Sequence, residues 1–203
     1  ILTEYTDASG RSISALSTYN GHAIDASQPP AGALSNATVI AEACTMTNNN
    51  PDPNGVYFVY TSTAVTLPGT CAIQSYGTCG KARVPIQVVY VPYMTGEAAG
   101  CSGAFDHGDE FSVTGHSIAL AQYGNVTANQ LMNTITNPRG TGWLDAYGNG
   151  ISFKCDGIFL PDDQDGHLQY EGFTNGSRWT VRTKWSNAAY KAGNGVPNSS
   201  GLF

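Results

Sequence analysis

The stretch VPIQVVYVPY, Val84–Tyr93, is the most hydrophobic segment of the chain and decides its fold. Its valines, isoleucine and tyrosines predict a β-strand. Because proline cannot donate a ladder hydrogen bond, Pro85 and Pro92 must lie at strand ends or on a sheet edge. We therefore expect a sheet that contains this strand.

Other β-branched and aromatic runs predict further strands. Thr38–Met46 and Val56–Thr63 are separated by a turn rich in Asn and Pro at 48–55. Later predicted strands are Ile151–Phe159, Leu168–Phe173 and Arg178–Trp185. Asn175-Gly176 between the last two predicts a β-hairpin.

Two helices are predicted before the C-terminal strands. One begins near Ser117, where HSIALAQY has helical spacing. The other begins at Thr127, because Thr127 and Gln130 have the spacing of a capping box. Asn125 would then lie in a loop before the second helix, which ends at Pro138.

The length of 203 residues predicts a single domain, residues 1–203, with its own core. We expect the α+β class: a central mixed or antiparallel sheet with one or two helices on one face, stabilised by disulfides. Residues 1–35 form a polar N-terminal segment, and residues 193–203 form a flexible tail rich in Gly, Asn and Ser.

The charge of the chain excludes two classes of partner. Charged residues make up 12% of the sequence, and the net charge is −6 with nine Lys and Arg. No basic patch is available for phosphates, which argues against nucleic acid and against anionic membrane surfaces. No apolar run reaches the roughly 18–20 residues that cross a bilayer, so we expect no membrane span. Composition does not indicate an oligomeric state.

A low-charge composition rich in hydroxyls and amides is typical of secreted proteins. N-x-S/T sequons predict N-glycosylation at Asn36, Asn125, Asn175 and Asn198. The start, Ile1–Glu4, carries no leader, so we expect that a signal peptide has been removed. These features together predict an extracellular glycoprotein.

The segment Thr127–Cys155, TANQLMNTITNPRGTGWLDAYGNGISFKC, carries three carboxamides on one helix: Asn129, Gln130 and Asn133. It resembles the secreted EXORDIUM-like (phosphate-induced) proteins of plants and their bacterial and fungal relatives. In that family the helix reads H-E-x-x-E-x-x-T-[ND]-P, followed by an aromatic turn, an acidic residue, a glycine and D-K-C. Here N-Q-L-M-N stands in place of H-E-x-x-E, and Gly142-Trp143, Asp145 and Lys154-Cys155 continue the match.

The resemblance spans roughly residues 56–187 and implies a metallohydrolase-like scaffold without its ligands. A carboxamide is a poor zinc ligand and does not titrate. We therefore expect no metal, no cofactor and no catalytic residue at Asn129, Gln130 and Asn133, which should converge near Trp143 and Asp145.

The resemblance also implies a disulfide pattern for the five cysteines. CAIQSYGTCG resembles the family's F-C-x-x-x-C-G segment, and Cys101 and Cys155 match family positions. We expect bonds Cys71–Cys79 and Cys101–Cys155, with Cys44 as a buried free thiol, although sequence alone does not fix connectivity.

Two acidic segments offer weaker candidates for metal binding. Asp106, His107, Asp109 and Glu110 carry ligand chemistry for a hard cation, and a solvated loop is the alternative. His116 could be a displaced metal ligand or general base, and a hydrogen-bonded histidine at a helix start is the alternative. The segment 162–167 has oxygen ligands and a glycine but lacks the register of an EF-hand.

Aromatic residues near the carboxamides suggest a binding cleft. Aromatic rings stack on the apolar faces of sugars while amides and carboxylates bind the hydroxyls. The predicted cleft for a glycan or peptide consists of Asn129, Gln130, Asn133, Trp143, Asp145 and Tyr147.

The first functional hypothesis is a secreted, non-catalytic EXORDIUM-like protein that binds a cell-wall glycan or a protein partner. The alternative is an extracellular hydrolase. It would be metal-dependent through Asp106, His107, Asp109 and His116, or a glycosidase with a carboxylate pair such as Asp145 and Asp109.

Overall fold

The computed structural model describes residues 2–7, 9–14, 16–28, 34–62, 70–94, 118–154, 171–172, 178–179 and 184–192. The helices are α1 (Asn36–Met46), α2 (Ile118–Thr136) and α3 (Asn187–Lys191). The strands are β1 (Val56–Tyr60), β2 (Ile73–Cys79), β3 (Val84–Val91), β4 (Glu171–Gly172) and β5 (Arg178–Trp179). Short 3-10 turns occur at Leu2–Glu4 and Pro138–Gly140. The predicted tail, 193–203, lies outside the described residues.

Strand β3 is the centre of a three-stranded mixed sheet with the order β1-β3-β2. It runs parallel to β1, with Val56 opposite Gln87, and antiparallel to β2, with Ile73 opposite Tyr90. Pro85 precedes the residues that pair with β1, and Pro92 follows the strand. Both prolines therefore avoid the doubly paired part of the strand.

Both faces of β3 are buried. Val88 and Tyr90 share a core cluster with Val39 of α1, whereas Val89 shares a second cluster with Val126 of α2. The α+β class with a mixed sheet is confirmed, but the two helices lie on opposite faces rather than on one. A strand that is apolar on both sides must be covered on both sides.

Helix α1 replaces the strand predicted at Thr38–Met46. The Ser35 hydroxyl accepts a hydrogen bond from the Thr38 N–H at 3.2 Å and caps the first turn. Val39 and Ala43, four residues apart, are both buried on the side that faces the sheet. This cap and spacing outweigh the β-branched content on which the strand prediction was based.

Helix α2 is one continuous helix of 19 residues, so the two helices predicted here are merged. Thr127 is inside it and does not cap a helix; its hydroxyl bonds the Tyr60 hydroxyl at 2.8 Å. Gly124 is needed inside the helix because a Cβ there would lie 2.3 Å from the Trp179 ring. Among the described helices, none has the length and hydropathy to cross a membrane.

The predicted C-terminal hairpin is present at its described positions. Glu171 pairs with Trp179 and Gly172 with Arg178 in antiparallel register, and the turn residues between them lie outside the description. Residues 151–154 form turns instead of starting a strand, because the backbone there folds back against α2 and Trp185.

A disulfide between Cys44 and Cys79 ties α1 to the end of β2, with Cα atoms 5.3 Å apart. The predicted Cys71–Cys79 bond and the free Cys44 are therefore wrong. Cys71 precedes β2 and Cys79 ends it, and an extended strand of this length separates two residues by roughly 20 Å. Helix α1, by contrast, packs on the sheet face toward which Cys79 points.

Cys71 is also disulfide-bonded. The predicted Cys101–Cys155 pair lies outside the described residues.

Removal of the Cys44–Cys79 bond should lower stability considerably. The bond closes a separation of 35 residues, for which loop-closure entropy predicts a loss of about 4 kcal/mol in the double variant Cys44→Ala/Cys79→Ala. Urea unfolding measures this loss, and non-reducing peptide mapping should recover a Cys44–Cys79 peptide. Recovery of Cys71 joined to Cys79 would contradict the fold.

Candidate functional site

One face of α2 buries an unusual number of polar side chains. Gln122, Asn125, Asn129, Asn133 and Thr136 follow one another at intervals of three or four residues, as expected for neighbours on one side of a helix, and Gln130 and Thr134 lie beside them. Each is less than 8% exposed: Gln122, Asn125, Asn129, Gln130, Asn133, Thr134 and Thr136. The carboxamides predicted to mark the site are therefore inside the protein rather than in an open cleft.

One of these side chains fixes the turn at residues 150–152. The Asn133 Oδ1 accepts a hydrogen bond from the Ser152 N–H at 3.2 Å, and the Ser152 hydroxyl donates to the backbone carbonyl of Asn129 at 3.0 Å. Ser152 itself is fully buried. The Asn133 carboxamide and the Asn129 backbone thus hold the turn against α2, and a carboxamide fills this structural role well because it is neutral.

Several buried polar atoms near this face find no hydrogen-bond partner among the residues that the structure describes. They are Asn129 Oδ1, Asn133 Nδ2 and Thr134 Oγ1 on α2 and Gln87 Oε1 on β3. An unpaired buried polar group costs about 1–3 kcal/mol. The face therefore carries more polarity than packing requires, which is the feature that sets α2 apart from an ordinary core helix.

The metal implied by the family resemblance does not fit these residues. Asn129, Gln130 and Asn133 offer neutral carboxamides where zinc prefers imidazole or carboxylate. Within the described part of the chain, no group of three His, Cys, Asp or Glu side chains comes together. The weaker candidates, Asp106, His107, Asp109 and His116, lie outside the described residues.

Trp143 is positioned by the end of α2. The Asn137 Oδ1 accepts the Gly142 N–H at 2.6 Å, and the Thr136 carbonyl accepts the Trp143 N–H at 2.8 Å. Gly142 cannot be replaced without distortion, because a Cβ there would lie 2.3 Å from the Thr136 carbonyl oxygen. The indole then packs edge-on against the Tyr5 ring, with centroids 5.4 Å apart.

Trp143 forms part of the wall of a groove of about 810 Å³ between the N-terminal segment and the end of α2. Its apolar wall consists of Tyr5, Ile13, Ile135, Pro138, Trp143 and Leu144. Hydroxyl and amide groups of Thr6, Ser12, Asn54 and Thr141 line the same space. We call this surface the Trp143 groove.

The Trp143 groove contains one charged pair. Arg11 Nη2 lies 2.8 Å from Asp7 Oδ2, and Asp7 Oδ1 accepts the backbone N–H groups of Ser9 and Arg11. The hydrogen bond from the Ser9 hydroxyl, together with the hydrogen bonds from Arg11 and from the Ser9 N–H, holds the pKa of Asp7 well below its usual range. Asp7 is therefore ionised and paired with Arg11, so the described lining of the groove carries no net charge.

Asp145 serves as an anchor for its own loop. Its Oδ1 accepts the N–H groups of Tyr147 and Asn149, each at 2.9 Å, and its Oδ2 lies 3.2 Å from Lys154 Nζ. The hydrogen bond from the Asn149 N–H lowers the pKa of Asp145 most. The hydrogen bonds from the Tyr147 N–H and the Lys154 ammonium lower it further. Lys154 Nζ also lies 4.3 Å from the centre of the Trp185 ring, a cation–π contact.

The six residues of the predicted cleft therefore occupy three places. Asn129, Gln130 and Asn133 are buried on α2, Trp143 lines the groove, and Asp145 and Tyr147 belong to a loop that does not line it. Tyr147 is 89% exposed. No hydrogen bond among the described residues joins the carboxamides to Trp143 or Asp145.

The N-terminal half of the groove was missed by sequence reasoning, which treated residues 1–35 as a polar segment. Tyr5 is 3% exposed, and its hydroxyl bonds the Trp185 carbonyl at 2.7 Å across 180 residues of sequence. The spacing Asp7-x-Ser9-x-Arg11 was the available signal, because an aspartate followed by serine and glycine predicts a side chain that caps its own turn.

The predicted glycosylation sites differ in exposure. Asn36 is exposed at the start of α1. Asn125 is only 1% exposed in the middle of α2, so its prediction as a glycan acceptor is wrong; the continuous helix removes the loop on which it depended. Asn175 and Asn198 lie outside the described residues.

Comparisons with family models, with curated proteins and with solved structures find no match for this chain. The EXORDIUM-like resemblance accordingly stays a prediction, and the chemistry of the site has to be inferred from its own residues.

The Asp145 loop makes a testable contribution to stability. Because the folded pKa of Asp145 is lowered, its stabilising effect is present above the unfolded pKa of about 4 and is lost as the pH falls through the folded value. Wild type should exceed Asp145→Asn in unfolding free energy at pH 7, and the difference should shrink toward pH 3.

Urea unfolding across this pH range measures that difference. Asp52→Asn is the matched control. It also removes a carboxylate that accepts a backbone N–H in a turn, but Asp52 forms no ion pair among the described residues. A difference between wild type and Asp145→Asn that does not change with pH would show that the carboxylate charge is not involved.

Proposed function

We propose that the protein is an extracellular, non-catalytic binding protein of the EXORDIUM-like type, and that the Trp143 groove binds a carbohydrate chain of a cell wall. The observation that carries this proposal is the groove itself: an aromatic and aliphatic wall, a rim of hydroxyls and amides, and no net charge.

The neutrality of the groove favours a neutral ligand. Its described lining contains one carboxylate and one guanidinium, which pair with each other. An anionic or cationic ligand would have to break this pair, whereas a carbohydrate can accept hydrogen bonds from Arg11 and donate them to Asp7 without breaking it.

The wall of the groove favours a ligand with flat apolar faces. Trp143 is held rigidly by the end of α2 and by the Tyr5 ring, so stacking on it requires little loss of side-chain freedom. A sugar ring presents C–H groups on its faces and hydroxyls at its edges, which matches an indole beside threonine and serine hydroxyls.

Catalysis in the groove is not supported by its titratable groups. Asp7 is the one carboxylate of the described lining, and its oxygens are occupied by Ser9 and Arg11, which keep it ionised. General acid catalysis needs a carboxyl group that is protonated near the working pH. The hydrolase alternative therefore finds no acid in this groove.

The extracellular location is supported by the disulfides. Cys44–Cys79 is formed, and Cys71 is bonded as well. Disulfides persist in oxidising compartments and are rare in the cytosol. The exposed sequon at Asn36 is in keeping with the same location.

Substitution of Trp143 tests the proposal. Soluble β-glucan, xylan, mannan and chitin oligosaccharides are titrated against the protein by calorimetry or by NMR. At least one should bind, and Trp143→Ala should weaken it roughly tenfold, since ring stacking adds about 0.5–1.5 kcal/mol beyond the area that the indole buries.

Tyr147→Ala is the matched control, because Tyr147 is an exposed aromatic residue outside the groove. It should bind the same oligosaccharide with wild-type affinity. Equal losses in both variants, or no binding of any oligosaccharide, would refute the proposed function.

A further inference from the structure

A second cavity lies at the carboxyl ends of the parallel strands β1 and β3, away from the Trp143 groove. Its volume is about 320 Å³, within the range of roughly 300–1,000 Å³ that holds small ligands. The end of β1 contributes Val59 and Tyr60, β3 contributes Tyr90, and α1 contributes Val39 and Glu42. The extended segment 23–28 completes it.

The position of this cavity is favourable for binding. In sheets with parallel strands, ligands bind beyond the carboxyl ends of the strands, where the following loops diverge. Here the side chains behind the cavity belong to the rigid core: Val39 and Tyr90 are almost completely buried. The Tyr90 hydroxyl is held by the Thr61 hydroxyl at 3.0 Å.

The cavity is anionic. Asp25 and Glu42 line it, and its described lining includes no Lys, Arg or His. Leu34, Val39 and Val59 supply apolar wall. A suitable ligand would therefore have a cationic group, which would lie next to the two carboxylates, and a short hydrocarbon chain, which would pack against these apolar side chains.

The pKa values of the two carboxyl groups are shifted in opposite directions. Burial, and then the hydrogen bond and the charge of Asp25, raise the pKa of Glu42. The Ser27 hydroxyl and N–H lower the pKa of Asp25. Asp25 therefore ionises before Glu42 as the pH rises, and a cation bound beside them would favour the ionised form of Glu42.

The other titratable groups of the cavity are tyrosines. Burial raises the pKa of Tyr60 and of Tyr90, so both stay neutral hydroxyls in the range where Glu42 titrates. Any pH dependence of cation binding in this range would therefore come from Glu42.

We propose that this cavity binds a small organic cation, with a primary ammonium group between Asp25 and Glu42 and its hydrocarbon chain against Leu34, Val39 and Val59. The site is independent of the Trp143 groove, with which it shares no lining residue. The apolar wall of Leu34, Val39 and Val59 favours an organic over an inorganic cation, because it offers a contact surface to a hydrocarbon chain.

The test uses n-butylammonium as the probe and n-butanol as its neutral counterpart, titrated into the full-length protein and followed by amide NMR shifts. Butylammonium should bind in the millimolar range at pH 7.5 and shift the amides of Val39, Val59 and Tyr60. Butanol should not. Affinity for butylammonium should fall as the pH is lowered and Glu42 becomes protonated.

Glu42→Gln keeps the shape of the side chain and should weaken butylammonium at least about tenfold, as expected for loss of a charged hydrogen-bond partner. Asp52→Asn removes one negative charge outside the cavity, as Glu42→Gln does inside it, and should leave affinity unchanged. Equal binding of butanol, unchanged affinity in Glu42→Gln, shifts confined to other residues, or no binding up to tens of millimolar would each overturn the proposal.

Discussion

The burial of β3 on both faces is the constraint on which the rest of the structure depends. Val88 and Val89 point in opposite directions and are both fully buried, so the sheet needs a helix on each side. Helix α1 supplies one layer and is fastened there by the Cys44–Cys79 bond; α2 supplies the other. The anionic cavity lies beside α1, and the Trp143 groove lies at the end of α2.

Helix α2 contacts the sheet near its start and the 150–152 segment further along. Near its start, Tyr123 and Val126 pack on the sheet. Further along, the Asn133 carboxamide and the Asn129 backbone carbonyl bind Ser152, and the Ile151 carbonyl of the same segment accepts the Trp185 N–H. Because neutral amides can be buried at lower cost than charges, this face can anchor backbone without a metal or an ion pair.

The predictable parts of the fold are those fixed by local pattern. The hydrophobic run of β3 and the position of its prolines were readable because they depend on the strand alone. The identity of α1 was misjudged because β-branched residues at 38–40 outweighed the Ser35 cap, and the disulfide was misjudged because Cys44 and Cys79 meet only after α1 has packed on the sheet. Of the residues that line the groove, only Trp143 was predicted from the sequence. The groove depends on contacts between the N-terminal segment and the end of α2, and a local sequence pattern does not show these contacts.

The most direct test of this account is the hydrogen exchange rate of the Ser152 amide, measured by NMR in the wild type, in Asn133→Ala and in Gln130→Ala. If Asn133 holds the turn on α2, the Ser152 N–H is protected in the wild type, exchanges much faster in Asn133→Ala, and is little changed in Gln130→Ala, which removes a neighbouring buried amide. A Ser152 amide that exchanges at the rate of an open loop in the wild type, or that responds equally to both substitutions, would contradict the account.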